Sequence, residues 1–332
     1  MADDHEWWVT YTAGRLRRHA RWVRTQGVAR LLEEARLGPL EPASGSLARW
    51  RWRRAHRTRP PGATAVFLVG LQRSGTNLIV RAFQRLPEFE VYNENHRAAF
   101  DRFRLRPDPV IRRLVDQSHH PYVLLKPLCD SHRTPELLDG LGLRQAPLAL
   151  WAYRSAEARA RSAVAKFGDH NLQVLRDLAA GRQLHSWQAQ GLSPDSLALI
   201  RSFDLATMTP VSAAALFWYV RNRLVFELGL DRRDDVLLVS YDAMVRAPDA
   251  EMRRISAFLG FPYDARLAAG IAPRSAPRGA PGARAATREA APRPGATLDP
   301  RVGALCAELA AQLDAAQVWP APSLDRAGDA GP

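Results

Sequence analysis

Residues 65–83 read AVFLVGLQRSGTNLIVRAF: an apolar run, then a polar loop bounded by Gly70 and Gly75, then a helical pattern that begins at once. The apolar run predicts a buried strand, and nothing separates its turn from the following helix. Strand, loop and helix therefore act as one unit. The first helical turn carries N–H groups without intrahelical partners, and this unit places them at the carboxyl end of a strand, where they form a cradle for an anion. An Arg-Ser-Gly-Thr sequence in that turn (residues 73–76) is more polar than a structural connection needs.

From Gly70 to Gly75 the spacing is that of a phosphate-binding P-loop, yet Thr76 stands where that motif has lysine and Asn77 where it has the magnesium-binding Ser or Thr. Cleavage of a nucleoside triphosphate needs both, because a γ-phosphoryl group in transfer carries more charge than amides neutralise. Gln72, Arg73, Ser74, Gly75, Thr76 and Asn77 suit a phosphate-type group bound without a metal. A P-loop nucleotide kinase or NTPase is the alternative that the missing lysine and hydroxyl argue against.

The rest of the chain repeats the alternation. Apolar runs at 65–69, 122–126, 148–153 and 236–240 predict buried parallel strands. Helices are expected at 77–86, 109–117, 156–167 (Ser155 as N-cap, Gly168 as stop), 210–228 (after Thr209, with a proline start), 248–259 (ending at Gly260) and 301–317. The fold expected is α/β, a three-layer P-loop-type parallel sheet flanked by helices, with its ligand at the carboxyl ends of the strands. Residues 63–320 form that domain, 1–62 an Arg/Trp-rich N-terminal extension and linker, 271–300 a mobile Ala/Pro/Arg-rich loop, and 321–332 a disordered tail.

The chain of 332 residues carries a formal net charge of +13, which raises the question of an anionic partner. Residues 1–60 hold 13 arginines against 6 acidic residues, a balance of +7, and five of the nine tryptophans. Residues 12–37 have partial helical spacing among those arginines. This region is expected to pack on the core, to touch an anionic membrane surface, or to grip a polyanion or nucleic acid. No apolar run reaches the ~18 residues of a membrane span, and the start MADDHEWW is not a secretory signal, so a cytoplasmic place is expected, with peripheral membrane contact open. Cys129 and Cys306 are too few for a disulfide framework, and the nine histidines lack ligand spacing, so no metal site is expected.

Two further features bear on chemistry. Of 47 basic residues only Lys126 and Lys166 are lysines, each near the C-terminal end of a predicted ligand-facing element. Arg154 stands where a strand opens into a helix; Ser162 lies a little over two turns on and Lys166 one turn further, so the last two share a face. A forked guanidinium with hydroxyl and ammonium donors would bind a second phosphate.

Taken together, these segments resemble the sulfotransferases that use 3′-phosphoadenosine-5′-phosphosulfate (PAPS). Residues 70–83 are similar to that family's 5′-phosphosulfate-binding segment; 148–166, LALWAYRSAEARARSAVAK, to its 3′-phosphate-binding segment; and 236–261, with Tyr241 for the usual Tyr-Glu-x-Leu tyrosine, to its later strand. The layout is nearest the tyrosylprotein and carbohydrate-type branch. The resemblance covers roughly residues 64–320 and departs at Asn77, where a second threonine is frequent, and at Arg154-Ser-Ala, where Arg-Asp-Pro is usual. It implies PAPS as co-substrate, no metal requirement, and an acceptor with a hydroxyl group: sugar, lipid, small molecule or peptide tyrosine. It also implies Lys126 beside the leaving oxygen, Glu94 as the base with His96 as rival, Tyr241 near the adenosine, and Arg274 with Ser275 as a closing contact.

Overall fold

The computed structural model describes residues 51, 52, 54, 62–271 and 297–317. The expectations for the N-terminal extension, for 272–296 with Arg274 and Ser275, and for the tail lie outside the described residues. Those from Trp52 onward belong to one unit, Trp52–Pro273 with Arg293–Pro332.

In chain order the elements are β1 (Thr64–Gly70), α1 (Thr76–Phe83), β2 (Phe89–Tyr92), β3 (Phe100–Asp101), β4 (Arg104–Leu105), α2 (Asp108–Asp116), β5 (Tyr122–Leu125) and α3 (Thr134–Asp139). There follow β6 (Leu148–Tyr153), α4 (Ala156–Phe167), α5 (His170–Ala179), α6 (Pro194–Arg201), α7 (Pro210–Asn222), α8 (Leu224–Glu227), β7 (Val236–Ser240), α9 (Tyr241–Arg246), α10 (Pro248–Leu259) and α11 (Pro300–Ala316). Five strands make a sheet in the order β2-β5-β1-β6-β7 with every pairing parallel, and β3 with β4 forms a separate hairpin.

The apolar runs are continuous because both faces of the sheet are covered. Ala65, Phe67 and Val69 of β1 join Val123, Ala149, Trp151 and the inner sides of α4, α5, α7 and α11. Val66 and Leu68 point the other way, toward Leu124, Leu150, Val239 and the buried side of α1 and α10. This is the three-layer α/β architecture. The helix after β1 lies on one face and the helix after β6 on the other, so the chain reverses between these adjacent strands. The crevice outside their carboxyl ends is where open parallel sheets take ligands.

Two local expectations change. The helix expected over 210–228 divides at Arg223 into α7 and α8, and Ser155 occupies the N-cap position of α4 without a side-chain bond. Its backbone N–H donates instead to Asp242 Oδ2 at 2.7 Å, so a carboxylate from the first turn of α9 serves the start of α4. No helix among the described residues is long and apolar enough to cross a membrane.

Candidate active site

The loop after β1 has the shape its glycines permit. Gly70 (φ 115°) pairs with Ala152 of β6, and a Cβ on it would lie 2.3 Å from the Ala152 carbonyl oxygen. Gly75 (φ 84°) passes so close to Tyr241 that a Cβ would lie 2.2 Å from its ring. Either clash excludes a side chain. Ser131 Oγ accepts the Gly70 N–H at 2.9 Å and pins the end of the strand. Between the glycines Arg73 is itself left-handed, φ 74°, a conformation that costs a residue with a Cβ on the order of 1 kcal/mol or more.

Arg73 reaches across to α4, where its Nε donates to Ser162 Oγ at 2.9 Å. Two segments 89 residues apart thus meet at one spot. Ser74 Oγ, on a residue only 1 % exposed, has no hydrogen-bond partner among the described residues. Beneath the loop lies Arg159, also 1 % exposed, which donates from Nε to the Gln72 carbonyl at 3.1 Å. Its helix face is otherwise small and apolar: Ala156, Ala160 and Ala163 are the other buried residues of α4. An arginine set in that stripe is the signal that sequence reading passed over.

Arg154, at the end of β6, lies over the ring of Tyr241 at 4.5 Å. Its Nε is 3.9 Å from Asp242 Oδ1, too far for a hydrogen bond, and is buried without a partner. A cavity of about 560 Å³ opens beside it, walled by Tyr153, Ser240 and Asp242 together with Glu251 of α10 and Asp314 of α11; residues 70–77, Glu94, Lys126 and Ser162 do not line it. Lys166 holds its ammonium 5.8 Å from the ring of Phe167, and its place in a phosphate site rests on sequence position.

Lys126 immediately follows β5 and is buried, 1 % exposed. A buried ammonium needs acceptors. It donates to Asn77 Oδ1 at 2.7 Å and lies 3.4 Å from Glu94 Oε1, which links the start of α1 with the segment after β2. Glu94 keeps 26 % of its side chain exposed, so its carboxylate is open to a reacting partner. His96 is exposed and stands edge-on to the ring of Tyr92, while its Nδ1 accepts the Ala98 N–H at 3.4 Å. Of the two rival bases, Glu94 is the one paired with Lys126.

The neighbouring titratable groups are kept quiet. Burial, then the charges of Glu94 and Asp130, push the Cys129 thiol up to about 12, so it is no nucleophile at neutral pH. Burial and the Arg221, Arg104 and Arg133 guanidiniums pull His132 down to about 3, so it stays neutral. The site therefore consists of a glycine loop at a helix start, two buried donors that have no hydrogen-bond partner among the described residues (Ser74 Oγ and Arg154 Nε), three arginines, and one carboxylate–ammonium pair. Such a set can bind a ligand with anionic groups and move a proton at Glu94.

No protein-family model and no curated protein matches the chain. Among solved structures it is similar to a sulfotransferase from Alicyclobacillus acidocaldarius, at 17% identity and a TM-score of 0.40, over 78% of this chain and 96% of that one. It is also similar to the sulfotransferase domain from the Synechococcus PCC 7002 olefin synthase, at 15% identity and a TM-score of 0.37, over 76% of this chain and 96% of that one.

Proposed function

We propose that this chain is a sulfotransferase that moves a sulfuryl group from PAPS to the hydroxyl of an acceptor. The observation that carries this reading is the Arg73–Ser162 hydrogen bond of 2.9 Å, which joins the glycine loop to the helix that follows Arg154. That bond brings donors of the loop and of the helix to one place, which suits a ligand rich in phosphate-type groups. The residues fit PAPS in two further respects. Ser74 Oγ and Arg154 Nε are buried donors without a hydrogen-bond acceptor among the described residues, and Gly70 and Gly75 keep the loop backbone clear of side chains.

PAPS, when bound, supplies an activated sulfuryl group on its 5′-phosphate. The amides of residues 70–77 with Arg73 and Ser74 hold that end, and Arg154, Ser162 and Lys166 bind the 3′-phosphate. Tyr241, already stacked on Arg154, supports the adenosine. Glu94 takes the proton of the acceptor hydroxyl as its oxygen bonds to sulfur; the bond from sulfur to the phosphate oxygen breaks in line, and Lys126 offsets the charge left on that oxygen. Residues 1–60, with their excess of arginine, contact an anionic surface or a polyanionic acceptor, an attraction that salt weakens.

Sulfur-labelled PAPS offered with sugar, phenol, lipid and tyrosyl-peptide acceptors tests the reading. Wild type transfers label to at least one hydroxyl class, whereas Glu94→Gln transfers none and binds 3′-phosphoadenosine 5′-phosphate (PAP) as tightly as wild type. Label transfer by Glu94→Gln at the wild-type rate rules out Glu94 as the base; steady ATP hydrolysis with magnesium by wild type contradicts the sulfuryl assignment itself.

A further inference from the structure

We infer that Arg159 is a positioning residue of the donor loop: from beneath, it fixes the Gln72 carbonyl and so holds the Arg73 backbone in its left-handed conformation. This rests on the reading of residues 70–77 as the donor-binding loop.

Arg159 is buried on every side, and its donors go to three different elements. Nε donates to Gln72 O at 3.1 Å in the loop, and one terminal nitrogen donates to Asn171 Oδ1 of α5 at 3.2 Å and to Ala214 O of α7 at 3.0 Å. The ring of Phe217 lies 5.7 Å from the guanidinium carbon. No Asp or Glu is among these partners. Burial and the nearby Arg73 pull its pKa down to about 9, which leaves it a cation at neutral pH.

A buried cation without a carboxylate is costly, and an apolar residue in the Ala156, Ala160 and Ala163 stripe would avoid that cost. What an apolar residue lacks is the rigid fork that ties the loop carbonyl to α5 and α7 at once. The tied carbonyl belongs to the residue just before Arg73, whose φ of 74° is unfavourable for a residue with a Cβ and whose Nε meets Ser162 from that conformation. A second positive charge under the cradle also favours the anion that the loop holds.

Arg159→Lys and Arg159→Met, each checked by thermal melting, are titrated with PAP by calorimetry. Loss of the fork weakens PAP binding about 5- to 100-fold in Arg159→Met, the cost of a buried carbonyl left without its donor, and by an intermediate factor in Arg159→Lys. A purely structural role is separated by the Arg73→Gly background, where glycine adopts a positive φ without strain: there, adding Arg159→Lys weakens PAP binding by less than twofold. Arg159→Lys that is folded and binds PAP within twofold of wild type overturns the inference, as do losses that multiply independently in the double variant. Should Arg159→Met not fold, Arg159→Lys carries the test. Wild type that does not bind PAP removes the donor reading together with the inference, whereas wild-type binding with unaffected Arg159→Lys removes the inference alone.

Discussion

Lys126 joins the start of α1 to the segment after β2: one ammonium, buried, shared between Asn77 Oδ1 and Glu94 Oε1. It was legible in the sequence because the chain has so few lysines. Arg159 was legible only as an arginine set in an alanine stripe; its role was not, because its partners are two backbone carbonyls and an amide oxygen that only the fold assembles. His132 offers a prediction at the same scale. Its pKa falls from 6.5 to about 3 in the folded protein, through burial first and then the surrounding arginines. The unfolded chain takes up this proton below about pH 6.5 and the folded chain only near pH 3, so its contribution to stability is full above pH 6.5 and is lost as pH falls through that window. Urea unfolding at pH 7 and pH 4.5 therefore shows a smaller loss of stability on acidification in His132→Phe than in wild type. An equal loss in both would assign the acid sensitivity to other groups.

At the level of elements, the site is assembled where the loop after β1, the first turns of α4 and α9 and the segments after β2 and β5 converge at the carboxyl end of the sheet. Tyr241, the first residue of α9, touches two of them, since its ring carries Arg154 and leaves Gly75 no room for a Cβ. Gly75→Ala must strain the backbone at φ 84° and move that ring. The backbone strain costs on the order of 1–3 kcal/mol, and with the ring displaced from Arg154, PAP affinity falls more than the melting temperature alone would suggest. Unchanged PAP affinity in a folded Gly75→Ala protein would show that Tyr241 and the loop are not coupled. The sheet was legible where strands are buried on both faces, as in residues 148–153 and 236–240. β2 escaped because Phe89–Tyr92 is an edge strand whose middle residues, Glu90 and Val91, are half-buried and give no continuous apolar run. α6 carried a signal that went unread: Ser193 accepts from the Ser196 N–H, with Pro194 at the first helical position.

For the whole molecule, the sheet order places β1 at the centre, with the glycine loop at its carboxyl end and Arg154 at the end of the neighbouring β6. The sequence could supply both segments but not their meeting, because the Arg73–Ser162 contact spans 89 positions and depends on the β1–β6 register. The loop, read alone, is a P-loop without its lysine and its metal-binding hydroxyl. Joined to the helix that follows Arg154 by the Arg73–Ser162 bond, it gathers donors from two segments, and the proposal that these take the 5′ and 3′ ends of PAPS is what separates this reading from one with an ordinary adenine nucleotide. Calorimetric titration of the full chain with PAP and with ADP, without magnesium, tests that claim most directly. On the proposed assignment of Arg154 and Ser162 to the 3′-phosphate, its loss leaves ADP binding more weakly than PAP by about 10-fold or more. Equal affinity for the two ligands would contradict the 3′-phosphate site and, with it, the sulfuryl-donor reading of the loop.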